Sequence, residues 1–364
     1  MHQVLITGAT GFVGSALAAS FLARGAGVTA ISRNDPDGVR TLNAILSAAH
    51  GFELDISGAV KKHLRVIDID FATLESTLSD EVLENITEVW HVAAEMSYSA
   101  HKLAQSFETN VGTTARLYQA VAQRACGCRR FYYVSTAYVA GLAGGPVREQ
   151  LHAQSQMVNT YQVTKWSAEQ SLRLLHERHK LPVSIFRPTV VVGHSHTGWT
   201  LRNGFGFYMF QDAVLAVARA GHKELALDLL PRIRPDLVPI DQLANDACSL
   251  TLRNDVGTEF EVFHSAGGIG VAIDELVKVW GEVARVKTRL GKPTTSLEQK
   301  FDRAIGPNRP FAMTEWQFDR SSLDAAIDRH SPVRPLSREQ IRNLCQWYAG
   351  DVALEHARHA VEAG

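Results

Sequence analysis

Cysteine is scarce. Cys126, Cys128, Cys248 and Cys345, four in 364 residues, are too few and too scattered for a disulfide framework. The nearest approach to a metal motif, Cys126-Gly127-Cys128, lacks a second C-x-C or histidine pair and reads as an incidental junction between a helix and the next strand. His176, His179, His356 and His359 fall on polar helix faces without acidic partners at ligand spacing, so no metal site is expected. Net charge is nearly absent as well. With 37 Lys and Arg against 38 Asp and Glu, the formal charge is −1, which excludes a global field that would draw nucleic acid or an anionic membrane. Apolar runs break well before the roughly 20 residues that span a bilayer. Strand signals start at once, leaving no room for a signal peptide. Repeats and low-complexity tracts are missing too. The expectation is a reduced, cytoplasmic globular enzyme, 45% hydrophobic and 21% charged, long enough for an α/β core plus a second lobe.

What is present begins with Val4, Leu5 and Ile6, an apolar run that leads into Thr7-Gly-Ala-Thr-Gly-Phe-Val-Gly14. A buried strand turning through glycines into a helix over Ser15–Arg24 makes a nucleotide-phosphate site. Gly8 allows the tight turn, Gly11 lets backbone N–H groups approach a pyrophosphate, and Gly14 permits close helix–strand packing. The positive end of the helix then faces the phosphates. Glycine runs also serve as plain turns, so the weight rests on partner residues further along the chain.

Strand and helix signals alternate through the first half. Strands are expected at Val28–Ser32, Leu64–Asp68, Glu88–Ala93, Phe131–Ser135 and Val183–Phe186, and helices at Val39–Ala49, Phe107–Arg124 and Val163–His179. This spacing implies right-handed βαβ crossovers, hence a Rossmann-type doubly wound parallel sheet covered on both faces. From about residue 190 the pattern changes. Helices are expected at Tyr208–Ala220, Gln242–Arg253, Ile273–Val286 and Arg338–Glu362, with a last sheet strand at Glu259–His264. The expected division is a dinucleotide-binding domain of 1–190 plus about 241–267. A smaller, discontinuous substrate lobe would take about 191–240 and 268–364.

Tyr161-Gln-Val-Thr-Lys165 puts a phenol and an ammonium four residues apart on one helix face. Hydride addition to a carbonyl needs a proton donor at the nascent alkoxide, and a nearby ammonium draws a phenol's pKa down from about 10. Alone, such a pair is most often a solvated helix face. Here Ser135 and Thr136 close a parallel strand upstream of the helix, where the ligand crevice of an open α/β sheet lies. Their hydroxyls can donate to the same substrate oxygen.

Glycine loop, strand-end hydroxyl and Tyr-x-x-x-Lys, in that order, resemble the extended short-chain dehydrogenase/reductase superfamily over about residues 3–265. The resemblance implies the fold above and places Gly8, Thr10, Gly11, Phe12, Val13 and Gly14 around a dinucleotide pyrophosphate. It puts Asp68 and Ile69 at the adenine, and Ala93 and Ala94 in the strand-four motif His91-Val-Ala-Ala94. Asn110 matches the asparagine that supports the catalytic lysine, and Thr136, with Ser135 as alternative, matches the hydroxyl that polarises the carbonyl. Tyr161 would then donate the proton, and Lys165 would lower its pKa and hold the nicotinamide ribose. Pro188, Thr189 and Val191 would border the nicotinamide. Val134-Ser-Thr-Ala-Tyr-Val139, Tyr161-x-x-Thr-Lys-Trp-Ser-Ala-Glu169, Arg187-Pro-Thr-Val-Val-Val-Gly193 with Thr197-Gly198, and the segment 236–244 look like the fatty acyl-CoA reductase and thioester-reductase branch. That branch reduces acyl thioesters, on CoA or on carrier proteins, with NADPH. Residues 268–364 match nothing recognisable, and no carrier domain is present.

The acid that would bind the ribose hydroxyls of NAD belongs at the end of strand two, where this chain has Ser32-Arg33-Asn34. Arg33 can pair with a 2′-phosphate, so NADPH is favoured, with NADH the alternative. Asp35 and Asp37 lie too far along to serve as the ribose acid. Trp199, Phe205, Phe207, Tyr208 and Phe210 either line an apolar substrate site or form the core of the small lobe. His194 and His196 read as loop residues or as contacts to substrate or phosphate, and the basic run Arg232–Arg234 as a solvated loop or as a means of steering an anionic CoA or phosphopantetheine substrate. The expected partner is a hydrophobic small molecule, with a homodimer through the helices at 107–124 and 163–179 as a further expectation. Other substrates fit the same machinery: a ketone or secondary alcohol of specialised metabolism, or a nucleotide sugar handled by an epimerase or dehydratase.

Overall fold

The computed structural model describes residues 1–364 except 75–77, 154, 202–205, 254–256, 258 and 363–364, and describes the backbone alone at 72 and 351–362. The chain alternates β1 (Gln3–Thr7), α1 (Phe12–Ala23), β2 (Gly27–Ser32), α2 (Val39–Gly51), β3 (Leu64–Asp68), β4 (Glu88–His91), α3 (Thr113–Arg124), β5 (Arg130–Val134), α4 (Thr160–His179) and β6 (Val183–Pro188). After α5 (Phe207–Arg219) and α6 (Ile240–Leu252), strand β7 (Phe260–Ser265) returns to the sheet, followed by α7 (Ile273–Ala284) and α8 (Arg338–Glu362). The seven strands pair in parallel, in the order β7-β6-β5-β4-β1-β2-β3. The expected doubly wound α/β class is the one observed.

Successive side chains of a strand face opposite ways, and both faces of this sheet are apolar. Val4, Ile6, Trp90, Tyr132 and Phe186 pack under α1, α2 and α6, while Leu5, Val89, Phe131, Tyr133 and Ile185 pack under α3 and α4. Trp90 lies flat on Tyr132, ring centroids 4.6 Å apart, and its Nε1 donates to Thr251 Oγ1 at 2.9 Å. A further cluster, with Phe207, Phe210, Val214, Ile273, Leu276, Trp280 and Tyr348, joins α5, α7 and α8. Part of the C-terminal stretch leaves that cluster. Trp316–Phe318 pairs with Gly145–Val147, and Leu323 is buried in the core beside α1.

Element ends differ from the sequence expectation where backbone caps decide them. Helix α1 starts at Phe12, inside the glycine motif, because Gly11 is its N-cap. Helix α4 starts at Thr160, three residues early, because Asn159 Oδ1 accepts from the Gln162 N–H at 2.8 Å. That cap puts Tyr161 in the first turn of its helix. Among the described residues, no helix is long and apolar enough to cross a membrane.

Candidate active site

A cleft of about 1010 Å³ opens at the carboxyl ends of the strands. Gly8, Thr10, Gly11, Phe12, Val13, Gly14, Arg33, Ala93, Ala94, Ser135, Thr136, Tyr161, Lys165, Pro188, Thr189 and Val191 all line it. Asp68, Ile69 and Asn110 stand behind its wall, and Asp70 and Phe71 take the lining position at the end of β3. Two of the loop's glycines, Gly8 and Gly14, leave no room for a side chain. A Cβ on Gly8, whose φ is +76°, would sit 2.8 Å from the Ala93 nitrogen, and one on Gly14 would sit 2.1 Å from the Gly8 oxygen. The loop is therefore pressed against the end of β4 with its helix close beneath it.

The acids near β2 are committed to backbone. Asp35 accepts from the Arg40 and Thr41 N–H groups and from Thr41 Oγ1 at 2.6–3.1 Å. Asp68 Oδ1 accepts from the Asp35 N–H at 3.0 Å. These bonds hold a turn that presents two arginines to the cleft: Arg33, foreseen from sequence, and Arg40, which was not. Arg40 reaches back from α2 to the Arg33 carbonyl and, at 3.4 Å, to Ser32 Oγ. The two arginines stand seven positions apart, a spacing without a motif, and only the fold joins them.

Ser135 is 3% and Thr136 6% exposed. Thr136 Oγ1 accepts from the Tyr138 N–H at 3.3 Å, which leaves its proton free to donate. Ser135 Oγ is buried with no hydrogen-bond partner among the described residues, a polar atom that calls for a ligand. Lys165 is 2% exposed. Its Nζ donates to the Val134 carbonyl at 2.7 Å and lies 4.6 Å from the centre of the Tyr133 ring. Burial lowers its ammonium to about 7, against an upward pull from Glu169. Tyr161 runs opposite to the sequence expectation. Burial, with Tyr98 beside it, pushes its phenol well above the ordinary value, and the Lys165 ammonium is turned to Val134 instead. A neutral phenol is the form that donates a proton.

Tyr98, which no sequence signal marked, lines the cleft with its ring 6.3 Å from that of Tyr161. Asn110 sits in a π-helical turn, Glu108–Gly112, its Oδ1 accepting from the Glu95 N–H at 2.7 Å and its Nδ2 donating to Thr164 Oγ1 at 2.9 Å. It braces the wall from behind. Arg187 and Glu169, both wholly buried, form a two-pronged pair at 2.9 and 2.6 Å that ties α4 to β6.

The far wall is apolar. Phe207 and Phe210 from α5, Ile273, Leu276 and Trp280 from α7, and Leu237 line it. Phe210 stacks on Trp280 with centroids 5.2 Å apart. The other aromatics are core: Trp199 packs on Phe12 and Phe52, and Tyr208 hydrogen-bonds the Gly193 N–H at 2.9 Å and stacks on Tyr348. Phe205 lies outside the described residues. His194 turns its Nδ1 to the N–H groups of its own loop, and Arg232 and Arg234 are exposed. Among the described residues no cluster of His, Cys, Asp or Glu is arranged to hold a metal.

The profile of an NAD-binding family described as male sterility protein matches residues 6–247. A hybrid PKS-NRPS synthetase from Penicillium oxalicum is 28% identical over 258 residues, 67% of this chain and 6% of that protein. A carboxylic acid reductase from Segniliparus rugosus is 26% identical over 315 residues, 79% of this chain and 26% of that protein. The chain thus spans a small part of the length of these relatives. In fold it is similar to the crystal structure of the terminal R domain from the myxalamid PKS-NRPS biosynthetic pathway. The TM-score is 0.74 at 21% identity, covering 98% of this chain and 91% of that one. With more than half of its length matched by one profile, the chain belongs to this NAD-binding family, a branch of the extended short-chain dehydrogenases/reductases.

Proposed function

We propose that this protein reduces an acyl thioester, carried on CoA or a carrier protein, to an aldehyde and onward to an alcohol, using NADPH. One observation carries the reading: a single cleft runs from the glycine loop past Tyr161, Ser135 and Thr136 to a wall of apolar side chains. The residues fit a dinucleotide, with a turn at Gly8 and Gly14 that admits no Cβ and an unpartnered Ser135 hydroxyl at the strand end. Arg33 and Arg40, beside carboxylates already spent on backbone N–H groups, suit a 2′-phosphate rather than free ribose hydroxyls. Relatives that include a carboxylic acid reductase and a hybrid PKS-NRPS synthetase support the thioester as substrate.

Bound NADPH would supply hydride to the acyl carbon. Thr136 and Ser135 would polarise the carbonyl, and Tyr161 would give its phenolic proton to the carbonyl oxygen, yielding a hemithioacetal. Its O–H returns the proton to Tyr161 as the C–S bond breaks, and the thiolate leaves to give the aldehyde. Lys165, its ammonium beside the Val134 carbonyl at the end of β5, would hold the nicotinamide ribose.

The test is oxidation of NADPH and NADH by the purified protein over acyl-CoA thioesters, aldehydes and apolar ketones. Thioester-dependent NADPH loss with aldehyde or alcohol product is expected, and turnover confined to ketones would remove the thioester. Tyr161→Phe is expected to bind NADPH as before and lose about 10²–10⁴ of its turnover, the usual share of a positioned acid. Unchanged turnover would remove Tyr161 from the mechanism.

A further inference from the structure

Between the glycine loop and the catalytic helix, buried polar side chains and two backbone carbonyls form a continuous series of hydrogen bonds, and their lone pairs fix the direction of every bond. Thr7, the last residue of β1, accepts at Oγ1 from the Val92 and Ala93 N–H groups, both at 3.1 Å. A hydroxyl has two lone pairs and one proton, so its remaining contact, 2.7 Å to His91 Nδ1, is a donation by Thr7. Nδ1 is then an acceptor, which in a neutral imidazole leaves the proton on Nε2. Nε2 donates to Thr114 Oγ1 at 2.9 Å, and Thr114 donates to the Asn110 carbonyl at 2.7 Å. Asn110 Nδ2 donates to Thr164 Oγ1 at 2.9 Å, and Thr164 to the Tyr161 carbonyl at 3.1 Å. Thr7, His91, Thr114, Asn110 and Thr164 are each at most 1% exposed, so water does not compete for these bonds.

We infer that His91, fixed as its Nε2–H tautomer, is a positioning residue that locks the glycine loop to Asn110 and, through Thr164, to the helix carrying Tyr161. The opposite tautomer fails at both ends. An Nδ1–H would face a threonine oxygen whose lone pairs are taken, and a bare Nε2 would draw the Thr114 proton away from the Asn110 carbonyl. A doubly protonated ring fails at Nδ1 in the same way. Burial, with the Lys165 ammonium nearby, holds the imidazole neutral, its pKa down at about 3.

The first arm of the test is independent of substrate. Long-range ¹⁵N–¹H correlation on the intact labelled protein is expected to show His91 with hydrogen on Nε2 and none on Nδ1, unchanged from about pH 8 to about pH 5.5. An Nδ1–H signal, or titration of His91 in that range, overturns the inference whatever the protein reduces. The second arm reads catalysis as NADPH oxidation with a medium-chain acyl-CoA or, if the thioester reading has failed, with the ketone that is turned over. Thr114→Val is expected to lower kcat at least about tenfold, hold KM for NADPH within about threefold, and be rescued by Thr114→Ser. His91→Gln, whose amide can accept from Thr7 and donate to Thr114, is expected to keep more kcat than His91→Phe. Thr114→Val with unchanged kcat would reduce the chain to packing.

Discussion

At Lys165 the fold brings a charge to the edge of neutrality. Burial outweighs the Glu169 carboxylate and brings the ammonium to about 7, so it is cationic below that pH and neutral above it. Tyr161, pushed well above 10, stays protonated throughout the same range. If the cation is the form that supports proton transfer, kcat/KM for reduction is flat at low pH and falls above about pH 7. A Lys165→Met variant is slow with no such limb. A rate that instead rises through pH 7 would assign the working form to the neutral amine. The cofactor end has its own test. Removing Arg33 or Arg40 is expected to raise KM for NADPH by about 10- to 150-fold, the loss of about 1.5–3 kcal/mol typical of a charge-assisted bond, and to leave KM for NADH alone. Single residues were unevenly legible in the sequence. Tyr161, Lys165 and the glycines stand in a local spacing that chemistry requires, so they could be read. Arg40 and Tyr98 could not, because their only signal is the turn of a helix or the course of a loop that brings them to the cleft.

Helix α4 shows how an element aims its chemistry. Asn159 caps it one residue before Thr160, which sets Tyr161 and Lys165 one turn apart on the cleft side, with Glu169 a further turn along. Glu169 does two jobs: it draws the Lys165 pKa upward and clamps Arg187 of β6. Breaking a buried ion pair by removing one charge strands the other, at a cost of about 3–5 kcal/mol. Glu169→Gln is therefore expected to lower the urea midpoint by that amount of stability without changing the slope. Where the variant remains folded, the alkaline limb assigned to Lys165 moves to lower pH. A midpoint within about 0.5 kcal/mol of the parent would show that Arg187 finds other acceptors, of which the Gln150 carbonyl at 2.9 Å is one. The sheet strands and their covering helices were legible because period-2 and period-3.6 apolar patterns are local. Their ends were not, since Gly11 and Asn159 act through cap geometry that composition alone does not reveal.

Across the whole molecule, the cleft joins two apolar clusters that have little in common in sequence. The sheet side supplies hydroxyls, backbone and cations, and the α5–α7 side supplies Phe207, Phe210, Ile273, Leu276 and Trp280. This second wall was the least legible part of the chain. Aromatic residues over 199–210 divide between wall and core according to which helix face they occupy, and Trp280 comes from a stretch beyond the residues that the family profile matches. Its position still makes a claim about selectivity. Trp280 lies parallel to Phe210, within 2° and 5.2 Å, so the pair forms one slab of the apolar wall. If an acyl chain lies against that slab, Trp280→Phe shortens it while leaving a ring to pack. Each additional methylene accommodated in an apolar pocket is worth about 1–3 kcal/mol. The ratio of kcat/KM for a longer over a shorter acyl thioester is therefore expected to rise by about tenfold or more in the variant. KM for NADPH should not move, because Trp280 packs in the α5–α7 cluster rather than with the glycine loop and α1. If that ratio stays constant across the series while the cofactor KM shifts, the slab belongs to the nucleotide and the acyl group must be sought on the Tyr98 and Phe311 side of the cleft.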